Sequence, residues 1–366
     1  MAADKQLAAL AVAMLALLAA GPAAGLVHYQ SYLPAGCYVG WFPFVGKLMC
    51  QTLNPNPSPK HAPTGNGLSP DYYNSTCPDA EYLVWEAVKN AIDENRGIGA
   101  GLIRLFFHDA FVRGADASVL LNTTASNNLD TERTAPPNAN SLRGFEVIDA
   151  AKAAVEDACP GVVSCADIVA FAARDASKIL SYGSIDFDVP AGRLDGLQSF
   201  ANETNTLPGP GSSLAQLKTM FAAQGLSTAD MVTLSGAHTI GTSRCRFFTG
   251  RLSAMDPAYA KNLSAACNGT GSPDNRVDQD PFTPNDLDNQ YYKNIDKFVL
   301  FASDAALNST ETIGQVTANA NSPTKWQSDF AAAMVKMGKI GVKTRASPGT
   351  DGVEIRKVCW KVNSNY

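Results

Sequence analysis

The chain has 366 residues, 45% of them hydrophobic and 17% charged, with a formal net charge of −5 at neutral pH. That length and apolar content support a large buried core, arranged as one big domain or two modest ones. The acidic balance and the lack of a long basic run argue against nucleic acid or an anionic membrane surface as partners, which leaves small or neutral molecules.

Lys5 precedes LAALAVAMLALLAA, an apolar run followed by GPAAG. The run is too short to span a bilayer comfortably, and the small residues around Ala23 to Gly25 suit signal-peptidase cleavage, so residues 1–25 are expected to be a secretory signal. Residues 26–67 show neither helical nor strand periodicity, are rich in Gly, Pro and aromatics, and hold Cys37 and Cys50. No regular structure is expected there. A propeptide, an arm stapled through Cys37 and Cys50, and a translated intron are the open alternatives. Six N-x-S/T tripeptides, at Asn74, Asn122, Asn202, Asn262, Asn268 and Asn308, fit a secreted product. The eight cysteines then read first as disulfides.

From Leu68 onward the pattern is helical. PDAEYLVWEAVKNAIDEN pairs Leu83/Val84 with Ala87/Val88 and Ala91/Ile92, and RGFEVIDAAKAAVEDA and CADIVAFAARDASKIL repeat the stripe. GIGAGL resembles a phosphate loop but follows a helix rather than a strand, so a nucleotide site is not expected. LAQLKTMFAAQ runs into Gly225, a natural helix stop, and Ser227 with Asp230 predicts a capping box opening the next helix. WQSDFAAAMVKMGKIG closes the series. Strands are few and short, so the fold is expected to be mostly α.

Four histidines occur, and His28 and His61 lie in the irregular segment. His108 sits in RLFFHDAFVRGADAS, where a helix places Arg104 at i−4 on the same face, beside Phe107. His238 lies in MVTLSGAHTIG among small residues that leave room for a large flat group. Two histidines without carboxylate or cysteine partners at metal spacing make a poor zinc site, and a serine hydrolase would need a G-x-S-x-G elbow. One histidine as axial iron ligand, with the other and an arginine opposite, is chemistry that two histidines can support.

RLFFHDAFVRGADASVLL, ERTAPPNANSLRGFEVIDAAKAAVEDACPGVVSCADIVAFAARD, LPGPGSSLAQL, DMVTLSGAHTIGTSRC, TPNDLDNQYYKN and FAAAMVKMGKIGV together resemble the secreted plant haem peroxidases over residues 68–366. The resemblance implies a mostly α-helical haem-peroxidase fold with haem b between distal and proximal halves. It also implies a monomer of the cell wall or apoplast that takes hydrogen peroxide and small phenolic donors. On this resemblance His108 is the distal acid–base, Arg104 stabilises the leaving oxygen, Asn138 holds the second nitrogen of His108, and Phe107 and Ser141 line the haem pocket. His238 is then the axial ligand, Asp304 the carboxylate behind it, and Pro208, with the phenylalanines near Phe247, the exposed edge where donors arrive. A haem-free cell-wall glycoprotein keeping the fold as an interaction scaffold is the alternative.

The resemblance further implies two calcium ions. Asp109, Asp116 and Ser118, with the carbonyls of Val112 and Gly114, form the first set; Thr239, Asp280, Thr283 and Asp288, with the carbonyl of Asp286, form the second. Sequence alone leaves fifteen pairings of six cysteines open; the family pattern implies Cys77 with Cys159, Cys165 with Cys359, and Cys245 with Cys267. The chain departs from that pattern at Ala110 and Ala115, where the family carries a further disulfide across the distal loop. The departure is expected to leave calcium as the remaining tie on that loop.

Overall fold

The apolar stripe that opens the helical region closes as helix Ala80–Glu94, burying Ala80, Val84, Val88 and Ile92 along one face. The computed structural model describes residues 67–124, 129–268, 273–346, 348–349 and 352–363, together with the backbone course of 37–42 and 45–50. Two compact units divide the chain, Met1–Lys60 and His61–Tyr366.

In the first unit the expectation of no regular structure is corrected. Strands Cys37–Phe42 and Val45–Cys50 pair antiparallel, in a register that runs from Cys37 opposite Cys50 to Phe42 opposite Val45. Tyr, Val, Trp and Phe in CYVGWF favour a pleated backbone even without a polar–apolar alternation. The expected signal segment, 1–25, lies outside the described residues.

In the second unit, helix Ile98–Ala110 is buried on almost every side. A Cβ on Gly99 would lie 2.7 Å from Leu180 Cδ1, and one on Gly101 3.1 Å from the Arg143 carbonyl oxygen. Gly99 and Gly101 therefore stand where helix Cys165–Leu180 and the backbone just before Phe145 approach closely. Helix Phe145–Ala158 follows Gly144, whose φ of +96° suits glycine. Helix Cys165–Leu180 starts at Ser164, whose hydroxyl accepts from Asp167 N at 3.1 Å. These four helices pack on one another.

The later helices are Leu214–Ala223, Thr228–Ser235, Pro257–Cys267, Gln290–Asn294, Ala302–Ala305, Ile313–Asn321 and Pro323–Met337. The capping box of Ser227 and Asp230 is present, and Ser213 with Gln216 forms another. The strands of this unit are short antiparallel pairs: Asp195–Gly196 with Val353–Glu354, and Thr242–Arg244 with Arg276–Asp278.

Among the described residues the disulfides are Cys77–Cys159, Cys165–Cys359 and Cys245–Cys267, the pairing the family pattern implies. One apolar core runs through the helices, with Trp326, Phe330 and Phe171 fully enclosed, and a smaller cluster surrounds Cys245, Phe248 and Leu263. The core also encloses an ion pair: Arg193 Nη1 donates to Asp167 at 2.7 Å, and Asp167 additionally accepts from Tyr73 Oη and Gly192 N. With Arg193 N at 3.3 Å, four donors satisfy that buried carboxylate. Among the described residues no helix is long and apolar enough to cross a membrane.

Candidate active site

Arg104, Phe107 and His108 project from the last two turns of helix Ile98–Ala110. His108 is buried, and its Nδ1 meets Asn138 Oδ1 at 2.6 Å. Asn138 Nδ2 donates to the Glu132 carbonyl at 2.8 Å, which fixes the amide with its oxygen toward the imidazole. Nδ1 must then carry the proton, leaving Nε2 as an unprotonated acceptor. Burial, and after it the charge of Arg104, holds His108 well below the usual imidazole range, against the opposing bond to Asn138. The ring is a neutral base aimed by its neighbours.

Arg104 Nη1 donates to Ser141 Oγ at 2.7 Å and Nη2 to the Pro137 carbonyl at 3.2 Å. Its pKa falls to about 10 through burial, Arg143 and Arg276. Arg244 and Arg276 both reach the Asn140 carbonyl. These arginines make a cationic rim that the motif reading did not include. Phe107 packs against Phe111, with centroids 4.3 Å apart, and edge-on to His108.

His238 sits on the 3₁₀ turn Gly236–Thr239 that continues helix Thr228–Ser235. Its Nδ1 lies 2.8 Å from Asp304 Oδ1, and Tyr291 Oη donates to that same oxygen at 2.9 Å. Burial disfavours a charge on His238, but the Asp304 carboxylate outweighs it and raises the pKa, with Arg104 opposing. The Arg104 guanidinium thus acts on both imidazoles. The His238 side chain is 42% exposed, whereas the Asp304 behind it is 3% exposed. Among the described residues neither Nε2 has a hydrogen-bond partner. Phe301 stands edge-on to His238, with centroids 5.5 Å apart.

The residues fit a haem. An open-faced imidazole backed by a carboxylate is an iron ligand of tuned basicity, and the arginine rim suits the carboxylates of a porphyrin edge. Pro208 is half-buried in LPGP, whose Pro210 carbonyl accepts from Ser303 N at 3.0 Å, next to Asp304. Phe247 is 46% exposed, under the Arg246 guanidinium.

Of the two calcium sets, the second gathers well. Thr239 Oγ1 lies 3.2 Å from Asp280 Oδ2 and 3.0 Å from Asp288 Oδ1, and Thr283 Oγ1 lies 3.5 and 3.3 Å from the same atoms. The Asp286 carboxylate turns away to Arg96 and Tyr182, so only its carbonyl could join. Hard oxygens on one point fit calcium. In the first set Lys343, from another part of the chain, holds Asp116 Oδ2, while Ser118 Oγ and Glu132 Oε2 are buried without a partner; burial, and after it Asp116 and Asp109, hold the Glu132 carboxyl well above its usual range. Among the described residues no three His, Cys, Asp or Glu side chains converge as a metal site.

Sequence reasoning missed Glu132, which orients Asn138; Tyr291, which shares Asp304; and Lys343. The first two lie inside motifs quoted for the resemblance, and Lys343 follows just after one; a local pattern does not show which residues meet across the fold.

A family model described as Peroxidase matches residues 84–322. Among named relatives, Peroxidase 2 of Zea mays is 51% identical over 80% of this chain and 88% of its own length. Peroxidase 4 of Vitis vinifera is 47% identical over 81% and 92%. The lignin-forming anionic peroxidase of Nicotiana sylvestris is 45% identical over 81% and 91%.

Proposed function

Because the chain belongs to the peroxidase family, we propose that it is a secreted enzyme reducing hydrogen peroxide at haem b while oxidising small phenolic donors one electron at a time. The pair of imidazoles, each anchored through Nδ1 with Nε2 left open, carries this reading. His238 Nε2 would hold the haem iron, and Asp304 gives the ring imidazolate character, which raises its donor strength. A bound haem supplies the two electrons that split the O–O bond and regains them singly from two donor molecules.

His108 Nε2 would take a proton from one oxygen of hydrogen peroxide and return it to the other, which leaves as water. Arg104, fixed by Ser141 and Pro137, stabilises the negative charge that builds on that leaving oxygen. Asn138 keeps the proton of His108 on Nδ1, so the reactive nitrogen starts empty. Phe107 walls the pocket, and the surface near Pro208 and Phe247 offers donors an approach. Calcium at Thr239, Asp280, Thr283, Asp288 and the Asp286 carbonyl holds the turn that carries His238, since Thr239 is its neighbour.

Residues 68–366 form the catalytic domain, in keeping with the unit His61–Tyr366. Secretion is supported by the six glycosylation tripeptides, whose asparagines are all exposed, and by the three disulfides among the described residues. The name of the Nicotiana relative places lignin precursors among the phenols to try first. The deciding experiment is an absorption spectrum of the purified protein: a haem band near about 400 nm at roughly one haem per chain supports the enzyme. Its absence after haem reconstitution supports the scaffold instead.

A further inference from the structure

A cavity of about 300 Å³ lies between helix Ala80–Glu94, helix Cys165–Leu180 and the segment 186–188, and it shares no residue with the site around the two histidines. Tyr82 and Trp85 stand three residues apart on the first helix, so they fall on one face, and their rings stack with centroids 6.0 Å apart and planes inclined by 28°. The second helix contributes Arg174, Asp175 and Lys178. The chain then reverses at Tyr182 and Gly183, whose φ values of +53° and +85° close a tight turn, with Gly183 N donating to the Lys178 carbonyl at 2.7 Å. That reversal returns Asp186 to Lys178, Oδ2 to Nζ at 2.6 Å.

The cations of the cavity are already committed. Arg174 Nη1 donates to Glu81 at 2.6 Å and its Nε to Asp175 Oδ1 at 2.7 Å, while Lys178 holds Asp186. Two carboxylate groups remain short of donors. Asp175, the one buried residue of the lining, has its Oδ2 without a partner, and among the described residues no cation pairs with the exposed Asp188. Four carboxylates thus face two cations beside an aromatic pair. The missing group is a donor, the charge balance asks for a positive one, and the faces of Trp and Tyr rings attract organic cations.

We propose that this cavity binds an aliphatic diamine in its diammonium form, one ammonium donating to Asp175 Oδ2, the methylene chain lying on Tyr82 and Trp85, and the other ammonium near Asp188. A neutral polyol would satisfy the orphan oxygen but would leave the excess negative charge in place. A metal cation would satisfy the charge and make no use of the stacked rings. Burial pushes the Asp175 carboxyl up to about 6, with Arg174 and Lys178 opposing and Glu81 assisting. Glu81, Arg174, Lys178, Asp186 and Asp188 are the other charged groups of the lining. The ammonium needs the ionised carboxylate, so binding strengthens as pH rises through that value.

Calorimetric titration of the haem-loaded full chain with butane-1,4-diamine tests the site. One saturable site per chain is expected, with affinity rising about tenfold from about pH 5 to about pH 7. Asp175→Asn should weaken binding by about 10-fold or more, the scale of a lost charge-assisted hydrogen bond. Tyr82→Ala removes a side chain that is 55% exposed, which spares the fold, and should weaken binding about 2–5-fold. No saturable binding, or unchanged affinity in Tyr82→Ala or in a folded Asp175→Asn, would overturn the proposal. A flat pH dependence would detach the amine from Asp175 and overturn it too. Butane-1,4-diol, equal in reach and uncharged, should not bind; equal affinity for it would mark a polyol site instead.

Discussion

Asn138 faces His108 with its amide oxygen, 2.6 Å from Nδ1, because its nitrogen is committed to the Glu132 carbonyl at 2.8 Å. The proton of the imidazole is thereby assigned by a backbone carbonyl that never touches the ring. Replacing Asn138 by Val should lower the rate of reaction with hydrogen peroxide by about 10–100-fold, the usual scale for a lost orienting partner. Haem content should not change, and stopped-flow mixing reads both.

The two histidines should give opposite phenotypes. His108→Ala should keep haem and lose roughly 10²–10⁴-fold in the peroxide step. His238→Ala should lose or loosen haem in a titration followed by absorbance. Exchanged phenotypes would reverse the assignment of the two faces.

A pH profile of the peroxide step tests the state of His108. The ring must be neutral to accept a proton, and burial with the Arg104 charge lowers its pKa. The rate should therefore stay flat through the ordinary imidazole range near about 6.5 and fall only at lower pH. A break at the ordinary value would mean that His108 is solvated.

Gly236 marks a close approach on the other face. A Cβ there would lie 2.6 Å from Tyr292 Oη and 2.8 Å from Trp326 Nε1, so the turn carrying His238 would have to move. Gly236→Ala should cost about 1–3 kcal/mol of stability, the usual scale of overpacking, and weaken haem binding. A thermal melt and a haem titration measure the two effects.

Asp175 gives a signed prediction for stability. Burial pushes its carboxyl up to about 6, against the pull of Arg174, and its Oδ2 has no partner. The folded chain then binds a proton more tightly than the unfolded chain, whose value is near about 3.9. Stability should fall as pH rises between these values, by an order-of-magnitude 3 kcal/mol. Asp175→Asn should flatten that part of a melting-temperature profile.

The helices and their boundaries were largely legible in the sequence because their signals are local. Ser227 with Asp230 and the Val84, Val88, Ile92 stripe state their own geometry within one or two turns. The partners of His108 and His238 came from the family resemblance, and the structure places Asn138 and Asp304 on them. The Cys37–Cys50 hairpin was missed because aromatic residues can build a strand without alternation. Lys343 was missed for a different reason: it meets Asp116 across 227 residues of sequence, and nothing near either residue announces the other.

Gly114 and Gly341 touch backbone to backbone, since a Cβ on Gly114 would lie 2.6 Å from Gly341 Cα, and that contact sets an order of events during synthesis. Helix Ile98–Ala110 leaves the ribosome early, yet the loop after His108 is completed by Ile340, Lys343 and Arg356, which are made near the end. Until they arrive, the buried carboxylates of that loop have no cover, and Cys165 has no Cys359 to join. The distal pocket is thus among the last parts of the protein to mature. A chain cut short just after helix Pro323–Met337 would contain both histidines and still lack a finished place to hold one of them.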